Sequence, residues 1–431
     1  MNQHNEFSFS TETKDTFIKQ RSGRKTISYG SNDVIDSNDF GTAILLQNGH
    51  IVAWGDVRYG GEIPPDIAQL SDIVSLSATS GAFAALRADL SVVAWGDAGY
   101  GGKIPPDIAQ LNDIVSLSAT QYAFAALRAD RSVVNWGDKF DGGKTPPDIA
   151  QLNDIVSLSA TQYSFVALRA DRSVVTWSNA YYSDKTPPDI AQLNDIVSLS
   201  STYDRFVALR ADRSIITWTS SDSYVPSDMA QLNDIVSLSI NDNAFAALRA
   251  NRSVVAWGKG YSGNVPSDIA QLNDIVSLSA NDDAFAALRA NRSVVVWGRS
   301  DRNDVPSKIA RLNDIVSLSS TNSAFSALRA NRSVVAWGNI DNGGILPLDI
   351  AQLNDIVGLS ATNSAFAALR ADRSVVAWGK PSTGGFVPPE IAKLQDIVSV
   401  DSSGSAFTAL RTNGKRVGWG GGDIKAHGEY D

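Results

Sequence analysis

Residues 72–111 read DIVSLSATSGAFAALRADLSVVAWGDAGYGGKIPPDIAQL. Three short apolar runs, Asp72–Thr79, Ala82–Ala88 and Val92–Gly96, are separated by turn residues, the pattern of a three-stranded antiparallel meander A-B-C. In strand B, Ala82, Ala84 and Leu86 point one way and Phe83 and Ala85 the other, so both faces are apolar. A strand with protein on both sides has this composition. Pro105 and Pro106 exclude a central strand for the segment that follows. Ile108 and Leu111 stand three apart, which fits either one helical turn or a fourth, outer strand.

The same grammar recurs along the chain. All ten tryptophans, Trp54, Trp95, Trp136, Trp177, Trp218, Trp257, Trp297, Trp337, Trp378 and Trp419, end a strand C, at spacings of 39 to 41 residues. A period near 40 marks a repeat array, in which stacking of units supplies the core. Small Ala against large Phe and Leu suits sheets stacked face to face. Radial repetition of such sheets is a β-propeller, here of about ten blades over residues 31–420. An open superhelical stack of the same blades is the alternative. Lys25–Tyr29 matches the register of Asp66–Leu70 and would complete the last unit, which favours a closed ring. Asn32, Asp33 and Arg416 put polar groups where other units are apolar, as end caps of an open stack do. Residues 1–30 are expected to be a polar, disordered tail or an address for export without a signal peptide, and 421–431 a polar C-terminal tail.

Composition narrows the function. The 431 residues carry a formal charge of −9 and no cysteine. The acidic balance argues against nucleic acid as the partner, and the missing thiols exclude disulfides and thiolate metal sites. No apolar run is long enough for a membrane span, and the N-terminus lacks the apolar stretch of a secretory signal. The chain is expected to be a soluble monomer, either cytoplasmic or exported by a signal-independent route.

The combination VVAWG-D-x-x-Y-G-G, IPPDIAQL, DIVSLSAT and FAALRADRS resembles the repeats of the regulator-of-chromosome-condensation superfamily. Its compact bacterial branch, that of β-lactamase inhibitory protein II, is the most similar in blade length. The resemblance implies a propeller and little about activity. Known relatives are seven-bladed, whereas this chain has ten units. The wedge insertion and basic tails that serve the chromatin relatives in nucleotide exchange and nucleosome binding are missing here.

In an A-B-C meander the A–B loops and the loops after C share one face, and the B–C turns the other. On the turn face little varies. Turns such as Asp130-Arg131 and Asn251-Arg252 repeat, with Asn48-Gly49 and Asn413-Gly414 at the ends. Asp and Asn are expected to take the positive φ of these turns. The Arg residues ending strand B (Arg87 through Arg411) are expected to pair with the Asp entering strand A, such as Asp113 and Asp154. An anion-binding ring that includes Arg131 is the alternative.

On the loop face nearly everything varies. A–B loops carry Ser80-Gly81, Gln121-Tyr122, Gln162-Tyr163 and Tyr203-Asp204-Arg205, then Asp242-Asn243, Asp282-Asp283, Asn322-Ser323 and Asn363-Ser364. Loops after Trp carry Tyr59, Tyr100, Phe140, Tyr181, Tyr182, Tyr224 and Tyr261. A fixed frame under diverse loops is how binding proteins present a surface, and Tyr is enriched in recognition surfaces. These aromatics and Arg205 are the candidate binding residues, for a protein partner or, alternatively, a glycan. A third reading is an exported effector acting as exchange factor or adaptor in a host cell.

Chemistry finds little material. His4, His50 and His427 lie outside the loop clusters, so neither a Ser-His-Asp triad nor a zinc set assembles. Asp56, Asp97 and Asp138 repeat at one position, which points to a structural job. Asp138, Asp141 and Asp282-Asp283 lack the bidentate Glu of a calcium loop. No catalytic residue, cofactor or metal is therefore expected.

Overall fold

The structure, a computed structural model, describes residues 18–20, 34–140, 142–178, 186–201, 205–218, 231–241, 244–299 and 304–429. Ten antiparallel meanders follow one another, each its own sheet. The unit read above folds as Ile73–Ala78, Ala82–Arg87 and Val92–Gly96. Phe83 pairs with Trp95 and Ala82 with Gly96. A bulge between Ile73 and Ser75 shifts the first pairing by one residue. Neighbouring units approach most closely through their first strands. Those strands are therefore innermost, and the tryptophan-bearing strands lie outward.

Packing between units follows the two faces of the middle strand. Phe83 and Ala85 meet Ala43, Leu45 and Ile51 of the preceding unit, and Ala82, Ala84 and Leu86 meet Ile114, Phe124 and Trp136 of the next. Each Phe stacks on its own Trp, with ring centres 5.2–5.5 Å apart in units two to ten. All ten indoles are buried. Truncation of one to Ala is of the class that costs about 3–5 kcal/mol. The segment after the outer strand is one helical turn, Pro106–Ala109, with proline in its first turn and Ile108 buried, which resolves the choice left open by the sequence.

The turn face differs from expectation in one respect. Positive φ falls on Leu90 and on Arg131, Arg172, Arg213, Arg252, Arg292, Arg332 and Arg373, at +63° to +66°, not on the Asp or Asn before them. The turn has three residues and ends in a left-handed position. Asp130 serves it through its side chain, accepting from the Ser132 amide at 2.9 Å and hydroxyl at 2.6 Å. Gly49 and Gly414 fill the left-handed position in the end units. The second Arg set does what the sequence suggested: Arg87 binds Asp72 and Arg128 binds Asp113, both at 2.8 Å, and the pairing recurs to Arg411–Asp396.

The two ends of the array meet. Trp54 Nε1 donates to the Gly420 carbonyl at 2.8 Å, as Trp95 does to Gly60 and Trp136 to Gly101 at interior junctions. Ile35, Ile44, Leu46 and Trp54 pack with Ala406. Arg416 is half-buried at this junction and donates to the Leu45 carbonyl at 3.0 Å. The sheets stay separate: the fourth strand of the last one is His427–Gly428 of its own tail. Lys25–Tyr29, Asn32 and Asp33 lie outside the described residues.

Candidate partner-binding face

The loops after the outer strands are built to hold a tyrosine. Asp56 opens a 3-10 turn, Val57–Tyr59, by accepting from the Arg58 amide; Gly60 closes it at φ +92°, a conformation that costs glycine little. The Gly60 carbonyl accepts from Trp95 of the next unit at 2.9 Å. Asp97, Tyr100 and Gly101 repeat the arrangement, with Trp136 on the Gly101 carbonyl at 3.0 Å. Asp138 likewise accepts from the Phe140 amide at 2.7 Å. The repeated Asp is thus a cap, and Trp95 and Trp136 fix the loops that carry Tyr59 and Tyr100.

The A–B loops lie on the same face and touch these loops. Asn38 Nδ2 donates to the Tyr59 carbonyl at 2.6 Å and Thr79 Oγ1 to the Tyr100 carbonyl at 2.8 Å. Successive A–B loops are joined through their backbones. Ser80 donates to Gln121, Gln121 to Gln162, Asn322 to Asn363 and Asn363 to Gly404, each at 2.8 Å. Backbone bonds between loops hold the rim in one shape before any ligand arrives, the preorganisation that reduces the entropic cost of binding.

On this rim the aromatics of units one to four form a row. Phe40 stacks on Tyr59 at 4.3 Å between ring centres, and Tyr59 meets Tyr100 edge-on at 6.2 Å. Tyr100 meets Tyr122 at 5.3 Å and Tyr122 stacks on Tyr163 at 6.4 Å. These are normal separations for aromatic pairs. The two loop sets therefore converge. Gly81 makes room for the row: a Cβ there would stand 2.8 Å from the Tyr100 ring and 2.9 Å from that of Tyr59. Burial, ahead of the nearby Tyr59, Asp97 and Asp39, raises the pKa of the Tyr100 phenol. Phe40 is 49% exposed and was not among the sequence candidates. Its signal was alignment, since it occupies in unit one the place of Tyr122 and Tyr163.

Phe140, half exposed, has Lys139 Nζ 4.7 Å over its ring. Tyr261 is 77% exposed in a 3-10 turn of unit six. Arg205 is half-buried just before Phe206. Tyr181, Tyr182, Tyr203 and Tyr224, and with them Asp141, lie outside the described residues. In later units part of the polar loop content is structural: Asn241 and Asn281 are buried and cap Ala244 and Ala284 at 2.7 and 2.8 Å. Among the described residues no three His, Asp or Glu side chains converge on one point. No helix among them is long and apolar enough to cross a membrane.

Neither protein-family models nor curated proteins give a match to this chain. Among solved structures, the CRINKLY WD40 ectodomain of the Arabidopsis thaliana receptor kinase ACR4 is similar at a TM-score of 0.39 and 19% identity, covering 63% of this chain and 96% of that one. Prp20p of Saccharomyces cerevisiae, described together with its binding to Gsp1p and histones, is similar at a TM-score of 0.37 and 18% identity, covering 57% and 75%. Likeness at this level says nothing of this chain's partner.

Proposed function

We propose that the chain is a non-enzymatic recognition scaffold that docks a protein partner on its loop face. The carrying observation is the aromatic row Phe40–Tyr59–Tyr100–Tyr122–Tyr163, with Phe40 exposed, the four tyrosines half-buried, and its members drawn from two loop sets. Tyrosine rings give contact area at low entropic cost, and the joined loops hold them in place. A contiguous row of this kind suits one continuous interface. Separate shallow pockets, one per blade, would suit a glycan. The likeness of blade length and loop composition to the inhibitory bacterial branch supports the same reading.

The test is affinity capture with the intact chain beside a Tyr122→Ser/Tyr163→Ser variant, with the captured protein then titrated against both. Anchors of this kind contribute about 2 kcal/mol each, so the double variant is expected to weaken binding by roughly a thousandfold while melting within a few degrees of the parent. Unchanged affinity for the captured protein would remove the row from the interface. Specific retention on a glycan array, with no captured protein, would replace the protein partner by a sugar.

A further inference from the structure

The face opposite the aromatic row carries its own surface, and part of this chain has the composition to cover it. Ile18–Gln20 pairs in parallel with the innermost strand of unit six, Ile235–Ile240, placing Ile18 opposite Leu238 and Gln20 opposite Ile240. The edge it uses is the one away from the middle strand, facing the centre of the array. The parallel pairing points the N-terminal end of Ile18–Gln20 toward the start of that strand, which is the turn face, where the Asp234 carbonyl accepts from Ala250 of the turn at 2.8 Å. Leu238 is three residues above Ile235, about 10 Å at the rise of a strand. Fourteen further residues reach about 45 Å when extended, enough to cross several units.

The turn face of units six to eight is distinctive. Arg252, Arg292 and Arg332 hold positive φ and are exposed. Among the described residues they make no ion pair. In these three units the preceding residue is Asn251, Asn291 or Asn331, where units two to five and nine carry an Asp that sits beside the strand-B arginine, as Asp130 does 3.3 Å from Arg128. Each of the three turns thus has one carboxylate fewer. Next to the arginines, the bulge of each of these three inner strands leaves a valine exposed, Val236 at 41%, Val276 at 43% and Val316 at 42%. The surface is a cationic arc beside an apolar collar.

Residues 1–17 have the complementary chemistry: Glu6, Glu12 and Asp15 against the single Lys14, with Phe7, Phe9 and Phe17 among them. We propose that residues 1–17 dock on the turn face of units six to eight, carboxylates toward Arg252, Arg292 and Arg332 and phenylalanines toward the valine collar. The occupant is the chain's own segment in cis. The loop face remains free for a partner, so this inference is independent of the proposed function.

The chain has no cysteine, so Ser8→Cys gives a single labelling position in the full-length protein. A fluorophore there is expected to show slow, protein-like anisotropy decay. Arg252→Glu/Arg292→Glu/Arg332→Glu should free it, and adding Glu6→Arg/Glu12→Arg/Asp15→Arg should restrict it again. In unlabelled protein, tryptic cleavage after Lys14 should be at least about tenfold faster in the triple Glu variant, since cleavage tracks the undocked population. Melting curves that match the parent show that the Arg variants are folded. A freely rotating label in the parent, or restriction indifferent to charge reversal, overturns the proposal. Restriction that grows with protein concentration overturns docking in cis and assigns the segment to a second copy.

Discussion

Arg131 carries a cost that Gly49 and Gly414 avoid at the same place in the repeat. A left-handed conformation costs an L-residue about 1–2 kcal/mol, and Asn tolerates it best after Gly. Because the Arg131 side chain is exposed and makes no ion pair among the described residues, its replacement tests backbone strain almost alone. Arg131→Asn is expected to raise stability by about 0.5–1 kcal/mol and Arg131→Val to lower it by about 1–2 kcal/mol. Urea unfolding midpoints measure both, and equal midpoints for the two variants would show that the turn relaxes without strain. The position of the positive φ was misread from the sequence because Asp and Asn are its usual bearers. The missing clue was Ser132, whose amide and hydroxyl occupy the Asp130 side chain and so fix Asp130 in the turn, one residue before the left-handed position.

At the scale of the element, the 3-10 loop is a device with separable parts: an Asp cap, an aromatic, a left-handed glycine and a hydrogen bond from the neighbouring indole. The motif D-x-x-Y-G-G made Tyr59 and Tyr100 legible as loop residues, and the glycine pair legible as a reversal. It did not reveal that Tyr59 and Tyr100 meet over Gly81, because that contact depends on how far one sheet turns from the next. Phe40 was missed for a similar reason, since unit one is the most divergent repeat. Gly81 has no left-handed backbone requirement, so a larger side chain there acts through sterics against Tyr59 and Tyr100. Gly81→Leu should therefore break the row while the sheets beneath stay packed. Partner affinity is expected to fall at least about tenfold, the loss of one anchor's worth of contact, with thermal unfolding changed by less than about 1 kcal/mol, as for surface substitutions. A parallel titration and melting curve read the two effects apart, and full affinity with the bulky residue in place would show that the row is not the contact surface.

At the scale of the molecule, the ten-fold repeat meets its own end at a junction that is not a copy of the others. Unit one has Thr42 where the other units have the phenylalanine that pairs with tryptophan. The ring that stacks on Trp54 is instead His427, from the other end of the chain, 4.1 Å away and 3° from parallel. His427 also lies 3.3 Å from Asp423. Burial, the larger influence, lowers its pKa below the ordinary histidine value despite that carboxylate. The sign follows from the proton count. Below about pH 6.5 the unfolded chain binds a proton at this imidazole that the folded chain refuses, so stability falls as pH drops from there toward the folded pKa and changes no further below it. The junction therefore weakens on mild acidification, while junctions closed by Phe–Trp pairs have no such titration. Small-angle scattering is expected to give a compact particle at pH 7.5, and a larger radius of gyration at pH 5 if the ends separate. His427→Phe, which restores the ring used everywhere else, should keep the compact form at both pH values. An elongated particle at pH 7.5 would show that the ends do not stay together in solution, and equal acid sensitivity of parent and His427→Phe would move the switch away from this histidine.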